Sequence, residues 1–452
     1  MKSESKKVTQ EDKKAEFMPK YQKHLDELKS KFEIEKNEKF SNLVNFSTNR
    51  KKPIHKWIDF KEGYSSKLVK ELIDVDNLDS GDYILDPFVG CGTTCLVAQE
   101  LGYPSIGVDI LPVASLSTKV KTTNFSKEDN KKIKKYLRNL RNRLKTTDKI
   151  PEFKVLDRMF FSDSQKEEML KLKGFWENID EERIRDFFRL AYISIIEDVS
   201  NRKKDGNGIK YHRNKEVIQD PISYYEDKVI SMYSDILQMD KSNKEPIVFN
   251  GSILEDEVYE EIKEKDIGSV VFSPPYANCF DYAEVYKMEL WLGGFVEKYS
   301  DFDEYRNKAI RSHVNSKFDK TIENENEFVD VIAELVSAYN IWNKDIPDMI
   351  RGYFDDMTKV LKRLFSVMKE GSYCKIAVAN SGYKGILVPT DLLLAEIGKD
   401  IGFNVEKIVH ARDIRASSQQ MEELHGNYEN LMRESIVFLK KEDINREISQ
   451  FV

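Results

Sequence analysis

The sequence predicts an α/β protein with a mostly parallel sheet, an antiparallel edge strand and helical insertions. Two stretches carry that expectation. Residues 83–110, YILDPFVGCGTTCLVAQELGYPSIGVDI, read as strand, glycine loop, helix and strand, the opening of a doubly wound sheet. Residues 375–440 then alternate again: KIAVAN as strand, PTDLLLAEIGKDIGF as helix, EKIVHARDI as strand, a long polar connection, and ESIVFLKK as strand. The last two strands are expected to form the antiparallel edge.

Taken in order, residues 1 to about 45 read as charged helices with little apolar weight, and 1–52 as an N-terminal helical arm. PIHKWIDFKEGYSSKLVKEL, residues 53–72, passes from a loop into an amphipathic helix capped by Ser65 or Ser66. Tyr83–Leu85 is the first sheet strand, Thr93–Leu101 a helix ended by Gly102, and Ser105–Val108 a strand ending in Asp109. Residues 112–245 read as a basic, aromatic helical insertion without strand alternation. Sheet signals return at Pro246–Asn250 and Ser269–Phe272, and 283–350 reads as a second helical insertion.

Composition narrows the class. A chain of 452 residues, 40% hydrophobic and 33% charged, suits two or three domains or one enlarged catalytic domain with a polar surface. No run of about 18 apolar residues occurs, so no membrane span is expected. The charged start MKSESKKVTQEDKKAEF does not read as a secretory signal. Cys91, Cys95, Cys279 and Cys374 lack metal-ligand spacing and read as reduced thiols, which points to the cytoplasm and to no metal. The net charge is −7, yet Lys119–Lys149 and Asn201–Lys215 are strongly basic. Such stretches on an acidic chain suit an enzyme that grips a polyanion on one face; the ordinary alternative is a solvated surface.

Two loops stand out. In LDPFVGCGTT, Gly90 and Gly92 permit positive φ and close approach of a ligand, and the following helix turns its free N–H groups toward it. Asp109, at the end of the next strand, can accept hydrogen bonds from a ribose diol. In Ser273-Pro274-Pro275-Tyr276 the prolines remove two donors and stiffen the chain. That leaves the Pro274 carbonyl able to face a ligand and Tyr276 placed to stack on a flat ring. Alone, each loop also reads as an ordinary turn; together, each at the end of a parallel strand, they point to a shared function.

The pair DPFVGCGTT and SPPY resembles the two motifs of the S-adenosylmethionine-dependent amino-methylating DNA methyltransferases. The likeness covers roughly 53–111 and 246–440, expected as the catalytic domain, and implies a Rossmann-like methyltransferase fold. It implies that Asp86 and the backbone of Phe88–Gly92 face the methionyl end of S-adenosylmethionine, with Thr93 and Thr94 assisting. Asp109 then holds the ribose, Ile110 flanks the adenine, and Lys61, Gly63 and Ser65 line the carboxylate end. Where the family often carries an acidic residue after its third strand, this chain has Asn250-Gly251-Ser252.

The resemblance also makes chemical sense of SPPY. An exocyclic amine on a base is a poor nucleophile because its lone pair is delocalised. Acceptors fixed on its N–H groups favour a pyramidal nitrogen that can attack a methyl donor. We assign that role to Ser273 and the Pro274 carbonyl, with Pro275 stiffening the loop and Tyr276 stacking on the base. The base must be flipped out of double-stranded DNA to be reached. Asp281, Tyr282 and Glu284 read equally as pocket residues or as a capped helix start.

Lys203, Lys204, Lys210 and Arg213 in the insertion, and Arg415 with Arg412, Ser417, Ser418 and Gln419 in the late polar connection, are candidate DNA contacts. The motif order makes 112–245 the candidate target-recognition region and leaves 283–350 as a second one. A cytosine-C5 enzyme would need a cysteine directly after proline, and Cys279 lies too far along. The reading favours cytosine N4, because Ser273 stands where adenine enzymes more often carry Asp. Adenine N6, an RNA amino-methyltransferase and a non-enzymatic DNA-binding protein are the alternatives. A partner restriction endonuclease fits the same setting.

Overall fold

The computed structural model describes residues 9–150, 158–206, 208–239, 241–315, 319–414 and 432–442. The fold is mixed α/β of the expected Rossmann-like class, with parallel strands flanked by helices. The chain divides into two compact units, each assembled from segments distant in sequence. One comprises Met1–Val44, Tyr259–Phe280 and Ala309–Val452; the other comprises Asn45–Val258 and Asp281–Lys308.

In the second of these, the strand Tyr83–Asp86 pairs in parallel with Ser105–Asp109, which pairs in parallel with Ile247–Asn250. The helix Thr93–Leu101 starts after Gly92 and stops at Gly102, both left-handed. It lies close against the sheet because Gly107 has no side chain: a Cβ there would sit 2.8 Å from Val89 and 3.0 Å from the Cys95 sulfur. The insertion supplies the helices Lys127–Arg138, Asp163–Glu177, Glu182–Val199 and Pro221–Gln238. Edge-on aromatic contacts tie them together, such as Phe175 on Phe188 with ring centroids 5.3 Å apart at 88°.

One element of the insertion departs from expectation. Arg202–Asp205 and Gly208–Tyr211 pair as an antiparallel hairpin inside the region read as mostly helical and without strand alternation. RKKD carries no β-branched or aromatic residue, so it gives no strand signal. Its inward residue is a lysine, where alternation would call for an apolar side chain.

In the first unit, Ile267–Phe272 is buried along its whole length and runs parallel to Met368–Ala379. Arg433–Lys440 pairs antiparallel with Met368–Ala379 on one side and with Asn404–Asp413 on the other. The expected antiparallel strands are therefore present. Beyond them lies an unexpected one, the three-residue Ile34–Lys36, parallel to Asn404–Asp413. IEK is too short and too charged to read as a strand, though a short charged edge discourages intermolecular pairing.

The N-terminal segment, expected as an arm over 1–52, belongs to this unit as far as Val44. Its helix Gln10–Lys31 is charged overall but buries Tyr21, Leu25 and Leu28, a stripe at helical spacing. The Tyr21 hydroxyl donates to the Leu387 carbonyl at 3.1 Å, and Lys31 pairs with Glu396 at 2.7 Å. The second insertion, read as one piece over 283–350, divides between the two units at Lys308 and Ala309. Among the described residues no helix is long and apolar enough to cross a membrane.

Candidate functional site

The glycine loop lies in the unit containing 45–258. Asp86 ends its strand fully buried, and three donors converge on it: Tyr64 Oη at 2.7 Å, Thr94 Oγ1 at 2.6 Å and Phe88 N at 3.0 Å. Burial pushes its carboxyl up to about 6, although these bonds work the other way. Asp86 and Thr94 thus brace the loop from below, while Phe88 is half-buried and Thr93 buried. Tyr64, one position from the singled-out Gly63 and Ser65, was missed; a buried phenol aimed at a residue 22 positions away leaves no periodic signal.

Gly90 has φ +52° and Gly92 +86°, conformations that side-chain-bearing residues rarely adopt. Space is also short: a Cβ on Gly90 would come within 3.0 Å of the Phe60 ring, and one on Gly92 within 2.8 Å of the Thr118 backbone. Asp109 sits half-buried at the end of its strand. Its carboxylate accepts from Gly90 N and Leu111 N, each at 2.9 Å, one per oxygen. Each oxygen keeps a second lone pair, the capacity a diol requires. Burial pushes this carboxyl up to about 6 as well. Ile110 is half-buried beside it, and the Asn250 amide donates to the Ile110 carbonyl at 2.8 Å. Asn250 therefore stitches two strand ends together where the family often has an acid.

The segment before the loop is held in place. Lys61 is exposed, and its backbone N–H donates to the Tyr286 hydroxyl at 2.8 Å. Gly63 is half-buried, with Phe46 3.0 Å from where its Cβ would be. Ser65 is buried as the N-cap of the helix Ser66–Leu72, accepting from Leu68 N at 3.1 Å, so its hydroxyl oxygen is engaged locally.

The basic hairpin belongs to this same unit. Lys203, Lys210 and Arg213 are exposed, and Lys210 pairs with Asp205 at 2.9 Å. Lys204, expected with them as a DNA contact, instead points inward. It lies between Glu197, at 3.2 Å, and Glu289, closer still, with its ammonium 4.4 Å from the centre of the Tyr286 ring. Strand alternation explains the inversion: adjacent residues face opposite sides, so Lys203 and Lys204 cannot both face solvent.

Ser273-Pro274-Pro275-Tyr276 lies in the other unit, directly after the buried strand Ile267–Phe272. Ser273 and Pro275 are half-buried, Pro274 and Tyr276 buried. Among the described residues nothing donates to the Pro274 carbonyl. The Ser273 hydroxyl donates to Tyr276 Oη at 3.4 Å, and Tyr276 Oη donates to Glu434 at 3.0 Å. Glu434 is clasped from the neighbouring strand by Arg412 Nε at 2.6 Å. Arg412, expected in a polar loop, is thus the strand partner of Glu434. Arg415, Ser417, Ser418 and Gln419 lie outside the described residues.

After this motif Cys279 takes a left-handed backbone, φ +63°, with its thiol buried 3.5 Å from Tyr383 Oη and pushed up to about 11 by burial. That is the setting of a structural cysteine, not of a nucleophile. Asp281 caps the helix Tyr282–Val285 and holds Arg306 at 2.8 Å, so it acts as a helix start and an ion-pair partner.

Comparison with known proteins points in one direction. The family model described as DNA methylase matches residues 2–120. The Type II methyltransferase M.BsoBI of Geobacillus stearothermophilus is 28% identical over 94% of this chain and 93% of that protein. M.AvaI of Nostoc sp., also a Type II methyltransferase, is 28% identical over 85% of this chain and 86% of its own. The Type II methyltransferase M.MvaI of Kocuria varians is 24% identical over 95% of this chain and 100% of its own.

Proposed function

The chain belongs to the amino-methylating DNA methyltransferases, and from that premise we propose that it methylates the exocyclic N4 amine of a flipped-out cytosine in double-stranded DNA, with S-adenosylmethionine as donor. The observation that carries the choice of base is Ser273, an uncharged acceptor beside an open Pro274 carbonyl. Both can receive the N–H groups of an amine and localise its lone pair. Tyr276 offers a ring for the base to stack on, and the two prolines limit the loop's freedom to relax when the amine arrives.

The glycine loop suits the donor. Gly90 and Gly92 take the left-handed turn that leads the loop into the helix Thr93–Leu101, and Asp109 keeps lone pairs for a ribose diol. Ile110 offers an apolar flank for the adenine, Thr93 and the backbone of Phe88–Gly92 polar groups for the methionyl end, and Lys61 and Gly63 its carboxylate end. Asp86, Thr94 and Ser65 act in this reading by bracing the loop and the segment before it. The donor itself supplies a methyl group on a sulfonium, an activated leaving group. Asp109→Ala is expected to weaken S-adenosylmethionine binding by about 1–3 kcal/mol, the scale of hydrogen bonds to a charged group. DNA affinity should stay the same; calorimetric titration of the folded variant checks both.

The likeness to Type II methyltransferases supports a site-specific enzyme of a restriction–modification system; we read it as working in the cytoplasm beside a cognate endonuclease. We read 112–245 as the target-recognition region and its hairpin as one of its DNA contacts. Neutralising Lys203, Lys210 and Arg213 together should weaken DNA binding and flatten its salt dependence by up to about three phosphate contacts. An unchanged slope of log K against log salt would mark them as a solvated surface. Arg415 is read as a phosphate contact near the flipped base.

The base is decided by digesting methylated DNA to nucleosides and identifying them by mass spectrometry. N4-methylcytosine is the expected product. N6-methyladenine in its place would overturn the cytosine assignment and leave amino-methylation standing.

A further inference from the structure

A serine hydroxyl beside a flipped base has two options. It can accept from the exocyclic amine, which raises the amine's nucleophilicity, or donate to the adjacent ring nitrogen, which does not. The hydrogen bonds around Ser273 select between them. Glu434 holds the Arg412 guanidinium at 2.6 Å through one oxygen and receives the Tyr276 hydroxyl at 3.0 Å through the other. A carboxylate clasped by a guanidinium can only accept. The single hydroxyl hydrogen of Tyr276 is therefore committed to Glu434. Its oxygen can meet Ser273 only as an acceptor, which agrees with the Ser273 hydroxyl donating to it at 3.4 Å. With its hydrogen directed there, Ser273 presents lone pairs elsewhere.

We infer that Glu434 is a positioning residue that, through Tyr276, fixes Ser273 as a hydrogen-bond acceptor for the target amine. The inference rests on the amino-methyltransferase reading above and adds to it the device that sets the polarity of its catalytic serine. The sheet supplies the geometry. Arg412 and Glu434 are direct partners on adjacent antiparallel strands, and the ladder breaks register between His410 and Arg412. An irregularity of that kind re-aims a side chain. The 3.4 Å contact is near the limit of a hydrogen bond, so it orients the serine while leaving its oxygen available to substrate.

The test is a double-mutant cycle on the full-length protein, read as single-turnover methyl transfer to DNA together with cofactor and DNA affinities. Tyr276→Phe keeps the ring and removes the relay. Glu434→Gln can turn its amide N–H toward Tyr276 and so reverse the chain of donors. Each is expected to lower the rate about tenfold with little change in either affinity, and to have almost no further effect in a Ser273→Ala background. Multiplicative losses, with the same factor in both backgrounds, would overturn the relay even while the wild type methylates DNA. A wild type that transfers no methyl group to a base amine would overturn the functional reading, and the relay with it. If Glu434→Gln fails to fold, the Tyr276→Phe arm alone decides.

Discussion

Ser273→Ala is expected to lower the turnover number by about 10²-fold or more while leaving affinity for S-adenosylmethionine and for DNA nearly unchanged. The split follows from where the interaction matters. In the ground state the amine is planar and its hydrogens are modest donors, so one acceptor more or less changes binding little. As the nitrogen pyramidalises and acquires positive charge, its N–H groups become strong donors, and a fixed acceptor gains most at that point. Ser273 directly follows a strand whose six residues are all buried, which holds its backbone in place. Ser273→Asp, which restores an acceptor, should recover part of the loss. Single-turnover rates and equilibrium titrations on the same preparations separate the two effects. A large rise in the dissociation constant for DNA at unchanged turnover would mean that Ser273 binds the base without activating it.

Much of the fold was legible because its signals are local. The strand, glycine loop and helix at 83–101 announce themselves through a short apolar run, two glycines and a helix closed by Gly102, and the structure has those bounds to within a residue. The late strands were equally legible from alternation, although Met368–Ala379 begins seven residues before the expected KIAVAN. What could not be read depends on partners far away in sequence. Ile34–Lys36 is a strand only because Asn404–Asp413 offers it an edge. RKKD is a strand only because Glu197 and Glu289 accept the lysine it turns inward. At the candidate site the glycine and proline loops could be named from the chain alone. Tyr64 below Asp86, and the Arg412–Glu434 clasp on Tyr276, could not. The second joins residues 158 apart in sequence and requires the strand register to be known.

Lys204→Met is expected to destabilise the protein by about 3–5 kcal/mol in denaturant unfolding, the cost of leaving a buried charge without its counter-ion. Lys204 is 6% exposed and sits between two carboxylates, Glu197 and Glu289. Burial opposes its charge, but Glu289 and Glu197 outweigh that and hold its pKa above the ordinary lysine value. Its contribution to stability is therefore complete at neutral pH and is lost only as pH rises through that elevated pKa. Burial pushes the Glu289 carboxyl upward even with the lysine present. Without the lysine it rises further, and the folded variant then binds a proton that the unfolded chain does not. The deficit of the variant should accordingly be smallest at acid pH and grow as pH rises through the carboxyl's folded pKa. Removing the second partner as well, in Lys204→Met with Glu289→Gln, should return much of the loss, because the orphaned charge has gone. The consequences reach the donor loop, since the Lys204 ammonium lies over Tyr286 and Tyr286 stacks on Phe60 at 4.9 Å and 19°. Phe60 in turn fills the space where a side chain on Gly90 would lie. The single variant should thus also weaken S-adenosylmethionine binding, whereas neutralising the exposed Lys203 should leave it alone. Equal effects of the two lysines on cofactor affinity would contradict the inward role of Lys204, because only one of them is joined to the loop by contact.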